Sequence, residues 1–426
     1  MTLVKNASLI IHSARQVVTC ASQGKVKRKA ALQDVGAIEN GAVVITDGII
    51  TAVGSTPDIL GAYTARQTVD ASGKVLCPGF VDCHTHTVYA GDRVAEFEQR
   101  IAGVSYMDIL AAGGGILNTM RATRLASQEV LVEAASRRLT SMLRLGTTTV
   151  EIKTGYGLDM PSELKMLNVI ESLAEHHVVD IVPTFLGAHA VPPEYKSRGN
   201  QYAALVAHEM LPQAAQWYKQ SSFAAQGCLF SVDVFCEDGA FDIAQSQLVL
   251  EAGQALDMSI KMHVDEFKAL GGLTLAVGLG ALSVDHLDVS RSEEIDMLAQ
   301  SNTVGVIMPA VNFHLGSTHF ADARSMIDAG AAIALATDLN PGSAPCYSMP
   351  LVMALACRYQ KVLPAEAMNA STINAAHALG LGDSIGSLEA GKQADILILD
   401  APDYRHLMYQ LGGNLVETVI KRGVII

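Results

Sequence analysis

Apolar runs along the chain follow two different rhythms. Up to about residue 70 they are short and broken by polar positions. Residues 8–11 and 17–19 read as short strands. Residues 43–46 and 49–53 flank Asp47-Gly48, a pair that accepts the positive φ of a tight hairpin turn. The rhythm changes at Cys77-Pro78-Gly79. Eight nearly continuous apolar runs follow, at 80–83, 147–152, 181–186, 232–236, 260–263, 282–286, 304–308 and 333–337, separated by helical patterns. Such strands belong to a parallel sheet covered on both faces. Eight β/α units predict an α/β fold, a closed (β/α)8 barrel of the TIM type. A helix capped by Ser127 is expected over 129–145.

After about residue 380 short strand patterns return at 394–399 and 416–420, with a hairpin turn at Arg422-Gly423. The expected organisation is a barrel over 73–384 and a small β-sandwich domain composed of 1–72 and 385–426. The basic run at 25–29 reads as a solvated loop.

The chain has 426 residues, half of them apolar and 17% charged, which allows a sizeable core and excludes wholesale disorder. Its net charge of −13 argues against a nucleic-acid or anionic-membrane binder, since both need a positive field. An anionic substrate would need a local cationic clamp. The seven cysteines are scattered and contain no CxxC, so free thiols in a reducing compartment are expected. No apolar run reaches membrane-spanning length and no signal peptide stands out, so the expected location is the cytoplasm.

Candidate chemistry gathers at strand ends. His84 and His86 end the first barrel strand, and residues i and i+2 of a strand face the same way. His263 ends the fifth strand, His286 the sixth and Asp338 the eighth. The C-terminal rim is where barrel active sites lie. A cluster of His and Asp at one rim reads as a metal site more readily than as core packing.

The string Pro78-Gly79-Phe80-Val81-Asp82-Cys83-His84-Thr85-His86, with Thr337-Asp338 and the closing segment at 386–395, resembles the amidohydrolase superfamily. Arg93-Val94-Ala95-Glu96-Phe97, Ala112-Gly113-Gly114-Gly115-Ile116 and the segments at 151–158, 185–195 and 336–342 resemble, within it, the imidazolonepropionase family of histidine degradation. The resemblance implies hydrolysis of 4-imidazolone-5-propanoate to N-formimidoyl-L-glutamate. It implies one divalent metal, Zn or Fe, on His84, His86, His263 and Asp338. It places substrate contacts on Arg93, Tyr106, Tyr156, His189, Glu266, Asn340, Gly342 and Ser343. Asp338, His286 and Glu266 are the catalytic candidates: Asp338 as base, His286 at the oxyanion, Glu266 as proton carrier or substrate ligand. The family commonly carries Gln at position 266 and Thr at 343, both polar replacements.

Arg93 would bind the propanoate as a planar fork. Lys153, on the second barrel strand, is expected to be solvated or ion-paired, which favours one metal over two. The partner is a small-molecule substrate, with neither nucleic acid nor membrane; a homodimer is compatible with the sequence. Two other readings stand beside this one. His263-Val264-Asp265-Glu266 has the HxxE form of nucleobase aminohydrolases, and a metal-holding barrel could also bind without catalysing.

Overall fold

The computed structural model describes residues 5–104, 108–109 and 113–426. Strand β1 (Lys5–Val18) unites the two N-terminal segments that read separately in the sequence. Its register with β2 (Ala37–Thr46) shifts between Ile11 and Ala14, and Ser13 has a φ of 60°. The polar pair His12-Ser13 is therefore a bulge within one strand. Asp47 and Gly48, with φ of 50° and 82°, turn β2 into β3 (Ile49–Ser55). On its other edge β1 pairs in parallel with β4 (Tyr63–Asp70) and then, further along, with β5 (Val75–Pro78).

The next eight strands are parallel and neighbour one another in chain order. They are β6 (Phe80–Asp82), β7 (Thr147–Lys153), β8 (Asp180–Ala188), β9 (Ser231–Cys236), β10 (Ser259–Val264), β11 (Ser283–His286), β12 (Val304–Ile307) and β13 (Ala332–Leu335). The seam is joined just past β6 and β13. Thr85 bridges Leu339, Asp338 N donates to His84 O (3.1 Å), and His86 N donates to Leu339 O (2.9 Å). Barrel closure and the candidate ligands thus share one stretch of backbone. Outside the barrel, the helix Gln128–Arg144 starts at Ser127, whose Oγ accepts from Val130 N, and buries Leu131, Ala135, Leu139 and Met142.

Strand β14 (Ile396–Leu399) pairs antiparallel with β5, followed by β15 (Val416–Lys421) and β16 (Val424–Ile425) around the Arg422-Gly423 turn. Both chain ends therefore build one mixed sheet. Leu9, Ile45, Ile396 and Ile420 share a buried cluster, so the sheet encloses a core apart from the barrel.

The basic run is only partly solvated: Lys25 and Lys29 are exposed, but the two cations between them are engaged. Lys27 is buried and its Nζ donates to Asp34 O, while Arg28 donates to the carbonyls of Ala299, Gly330 and Ser301. These cations satisfy carbonyls at helix ends and strap the N-terminal segment to the barrel. All seven cysteines are free thiols. Among the described residues, no helix is long and apolar enough to cross a membrane.

Candidate active site

Three imidazoles and a carboxylate converge at the C-terminal end of the barrel. His84 Nε2 lies 3.3 Å from Asp338 Oδ1, His86 Nε2 lies 3.4 Å from the same oxygen, and 3.4 Å separates His86 Nε2 from His263 Nε2. All four side chains are buried. His84 Nε2 and Asp338 Oδ1 have no hydrogen-bond partner. Buried polar atoms are normally satisfied, so orphans aimed at one point fit a shared cation. His84 Nδ1 lies 2.7 Å from Asp285 Oδ2, and His263 Nδ1 lies 3.1 Å from Asp233 Oδ1. Carboxylates accept here, so each Nδ1 carries the proton and each Nε2 lone pair is left for a metal.

The backbone around this point is unusual. Asp265, His286, Leu287 and Asp338 all have positive φ, between 52° and 83°. Non-glycine residues held there are strained, and such strain clusters at functional sites.

A cavity of about 820 Å³ opens above the cluster. His86, His263, His286 and Asp338 line it, together with Arg93, Tyr156, His189, Glu266, Asn340 and Ser343. His189 stacks on His86 with ring centroids 4.9 Å apart, and its Nδ1–H donates to Gly155 O (3.1 Å). Tyr156 packs on His189 at 5.4 Å. The Arg93 guanidinium lies against Gly342, where an added Cβ would come 1.9 Å from Nη1. Its Nε donates to Glu96 (2.7 Å), which also accepts from Gly115 N (3.1 Å). Asn340 builds the turn beneath: its Oδ1 accepts from Gly342 N and Ser343 N, and its Nδ2 donates to Asp338 Oδ2 (3.0 Å). Asp338 Oδ1 is thereby left facing the histidines. Tyr106 lies outside the described residues.

Electrostatics divides the carboxylates. Burial would raise Asp338, but its close approach to His84 and His86 holds it well below the usual range. Burial raises Glu266 well above it, and Asp338, Asp288 and Glu237 add to the effect. The shift favours the protonated form of Glu266, which can donate a hydrogen bond. Its Oε2 stands 3.7 Å from His286 Nε2, beyond a direct hydrogen bond. Burial also keeps His189 and His286 neutral, well below the ordinary imidazole range.

This geometry is able to hold a metal ion beside a substrate-sized cavity, and the comparisons with known proteins narrow its use. Residues 244–426 match the Amidohydrolase family model. Imidazolonepropionase of Chloroflexus aggregans is 55% identical over 418 residues, 98% of either chain. The chain belongs to the imidazolonepropionase family. The family's enzyme from Herpetosiphon aurantiacus is 50% identical over 94% of this chain and 93% of its own. That from Geobacillus kaustophilus is 46% identical over 98% and 97%. Like other imidazolonepropionases, the protein is a hydrolase of histidine degradation. The fold is shared more widely. A zinc-bound adenosine deaminase from Xanthomonas campestris superposes with a TM-score of 0.73 at 20% identity, covering 99% of this chain and 93% of its own. Guanine deaminase of E. coli gives 0.71 at 18%, over 98% and 99%.

Sequence reasoning singled out Lys153 as solvated or ion-paired, and it is ion-paired; it did not reach the partners in the layer beneath the ligands: Asp285, Asp233, Glu151 and Lys261. Its signal was charge inside apolar strands, with Glu151 and Lys153 two positions apart on β7 and hence on one side of it. Arg100 was also missed; it lines the cavity and donates to His314 Nε2 (2.9 Å).

Proposed function

We propose that the chain hydrolyses the ring amide of 4-imidazolone-5-propanoate to N-formimidoyl-L-glutamate, using one divalent ion, zinc or iron, held by His84, His86, His263 and Asp338. The observation that carries this reading is the buried convergence of three Nε2 atoms and Asp338 Oδ1 on the floor of a cavity walled by Arg93. A divalent ion there would lower the pKa of a water to about 7 and polarise the amide carbonyl. Asp338, kept ionised by its histidines, takes the proton of the attacking water. The oxygen adds to the ring carbonyl carbon, the C–N bond breaks, and the leaving nitrogen takes up a proton. His286, kept neutral, turns an N–H toward the oxyanion. Arg93 binds the propanoate as a fork, and Glu266 donates a hydrogen bond to the ring. Tyr156, His189, Gly342 and Ser343 complete the substrate wall, while Asn340 fixes the turn. The free thiols favour a reducing compartment, the cytoplasm.

Purified protein should open the imidazolone ring, lose that activity on chelation, and regain it with Zn²⁺ or Fe²⁺. Release of ammonia from purines or pyrimidines with no imidazolone turnover would overturn the proposal.

A further inference from the structure

Beneath the candidate ligands the barrel interior holds a dense charge cluster that the reaction does not use. Lys153 is fully buried. Its Nζ lies 2.7 Å from Asp233 Oδ2, 3.0 Å from Glu151 Oε2 and 3.4 Å from Asp285 Oδ2. Lys261 Nζ is 2.9 Å from Glu151 Oε1 and also donates to Cys83 O. Asp233 and Asp285 are the carboxylates that receive the Nδ1 protons of His263 and His84. One ammonium thus anchors the partners of two of the three ligand histidines. A charge this deep is costly to desolvate unless it is closely paired. Its placement between both acids is a specific arrangement.

Charge balance points the same way. Two ammonium groups, Lys153 and Lys261, face three carboxylates, Glu151, Asp233 and Asp285, and Asp338 adds a fourth across the His84 ring. The deficit is two positive charges, which a single divalent ion cancels. Donor atoms of His84, Glu151 and Asp285, and of Asp233, His263 and Asp285, are also close enough to share an ion. Lys153 occupies that carboxylate cage as a tethered cation.

Resting on the metal reading above, we propose that Lys153 is a positioning residue: through Asp233 and Asp285 it fixes the ring orientation and tautomer of His263 and His84, and it limits the barrel to one metal. It touches neither metal nor substrate. Its effect must therefore appear in metal affinity and must be shared with the carboxylates it holds.

The test uses the full-length chain loaded with Zn²⁺, with affinity read by chelator competition and stoichiometry by elemental analysis. The wild type should hold one zinc per chain. Lys153→Met should weaken zinc binding by roughly 10- to 100-fold, the range for loss of a partner that orients a ligand. Asp233→Asn should cost a similar factor. The double variant should lose about as much as the worse single one, because residues acting through one contact are not additive. Lys153→Gln keeps a donor without the charge and carries the same test if Lys153→Met does not fold; it too should bind zinc more weakly than the wild type. Wild-type zinc affinity in a folded Lys153 variant, losses that multiply in the double variant, or two zincs per wild-type chain would each overturn the inference. A wild type that binds one zinc tightly but leaves the imidazolone untouched would sink the proposed reaction and leave this inference standing.

Discussion

Glu266 and Asp338 are both carboxylates on one cavity, and their surroundings shift their proton affinities in opposite directions. A protonated Glu266 donates a hydrogen bond, as a glutamine amide can. Glu266→Gln should therefore keep its metal and most of its turnover. The wild type should lose kcat/KM on the alkaline side as Glu266 ionises, and the variant should lack that limb. A loss of roughly a hundredfold or more in Glu266→Gln would instead mark Glu266 as a proton carrier. Arg93 is held by Glu96 and lies against Gly342. Removing a charge-assisted pair costs about 1.5–3 kcal/mol, or roughly 10- to 150-fold. Arg93→Ala should lower kcat/KM by at least that range, and Arg93→Lys should recover only part, since an ammonium cannot form the planar fork. Neutral substrate analogues should be insensitive to either change; equal losses would mean that Arg93 supports the loop.

The strand ends and the loops after them position this chemistry. His86 and Asp338 meet only because the backbone just past β6 pairs with that past β13. The loop after β11 is tied down by Asp288, whose Oδ1 accepts from Ala321 N (3.2 Å). Burial, above all, pushes the Asp288 carboxyl up to about 8. In the unfolded chain it titrates near about 3.9. Between these values the folded chain binds a proton that the unfolded chain does not, so stability falls as pH rises, by up to about 1.4 kcal/mol per pH unit. Asp288→Asn is neutral throughout and keeps the acceptor. Its stability relative to the wild type should climb between about pH 4 and pH 8. Urea midpoints of the metal-loaded proteins across that window check this, and parallel curves would refute it.

At the scale of the molecule, the small sheet and the barrel are bound by continuous chain. β5 pairs with β14 on one side and leads through Gly79 directly into β6, just before His84 and His86. We propose that residues 1–72 and 385–426 act as one domain. Deleting 386–426 removes β14 to β16 and leaves the edge of β5 unpaired beside an opened apolar cluster. Such edges aggregate. The truncated chain should be insoluble on expression; a soluble, active one would refute the domain proposal. The metal site is tested at this scale by composition. Full-length protein should carry one metal, and His263→Ala should lose most of it, because a remnant of three ligands holds an ion poorly.

Much of this was legible before any coordinates. Apolar periodicity is a local property, so it revealed eight buried strands, the Asp47-Gly48 hairpin and the Ser127 cap. His84 and His86, two positions apart at a strand end, were bound to face the same way. What the chain could not disclose locally depends on pairings between distant segments. Ser13 reads as a break until β2 and β4 show that β1 runs through it. Within the basic run, Arg28 reads as solvated until helix-end carbonyls arrive from residues 299–330. Lys153 reads as a surface or paired lysine until Asp233 and Asp285 surround it. Glu266 and Asp338 are alike on paper and differ only through burial and neighbouring charge. Residue type and spacing determined which groups could do chemistry; the closed barrel decided which of them are dry, paired and protonated, because desolvation and Coulomb energy depend on neighbours that sequence distance does not reveal.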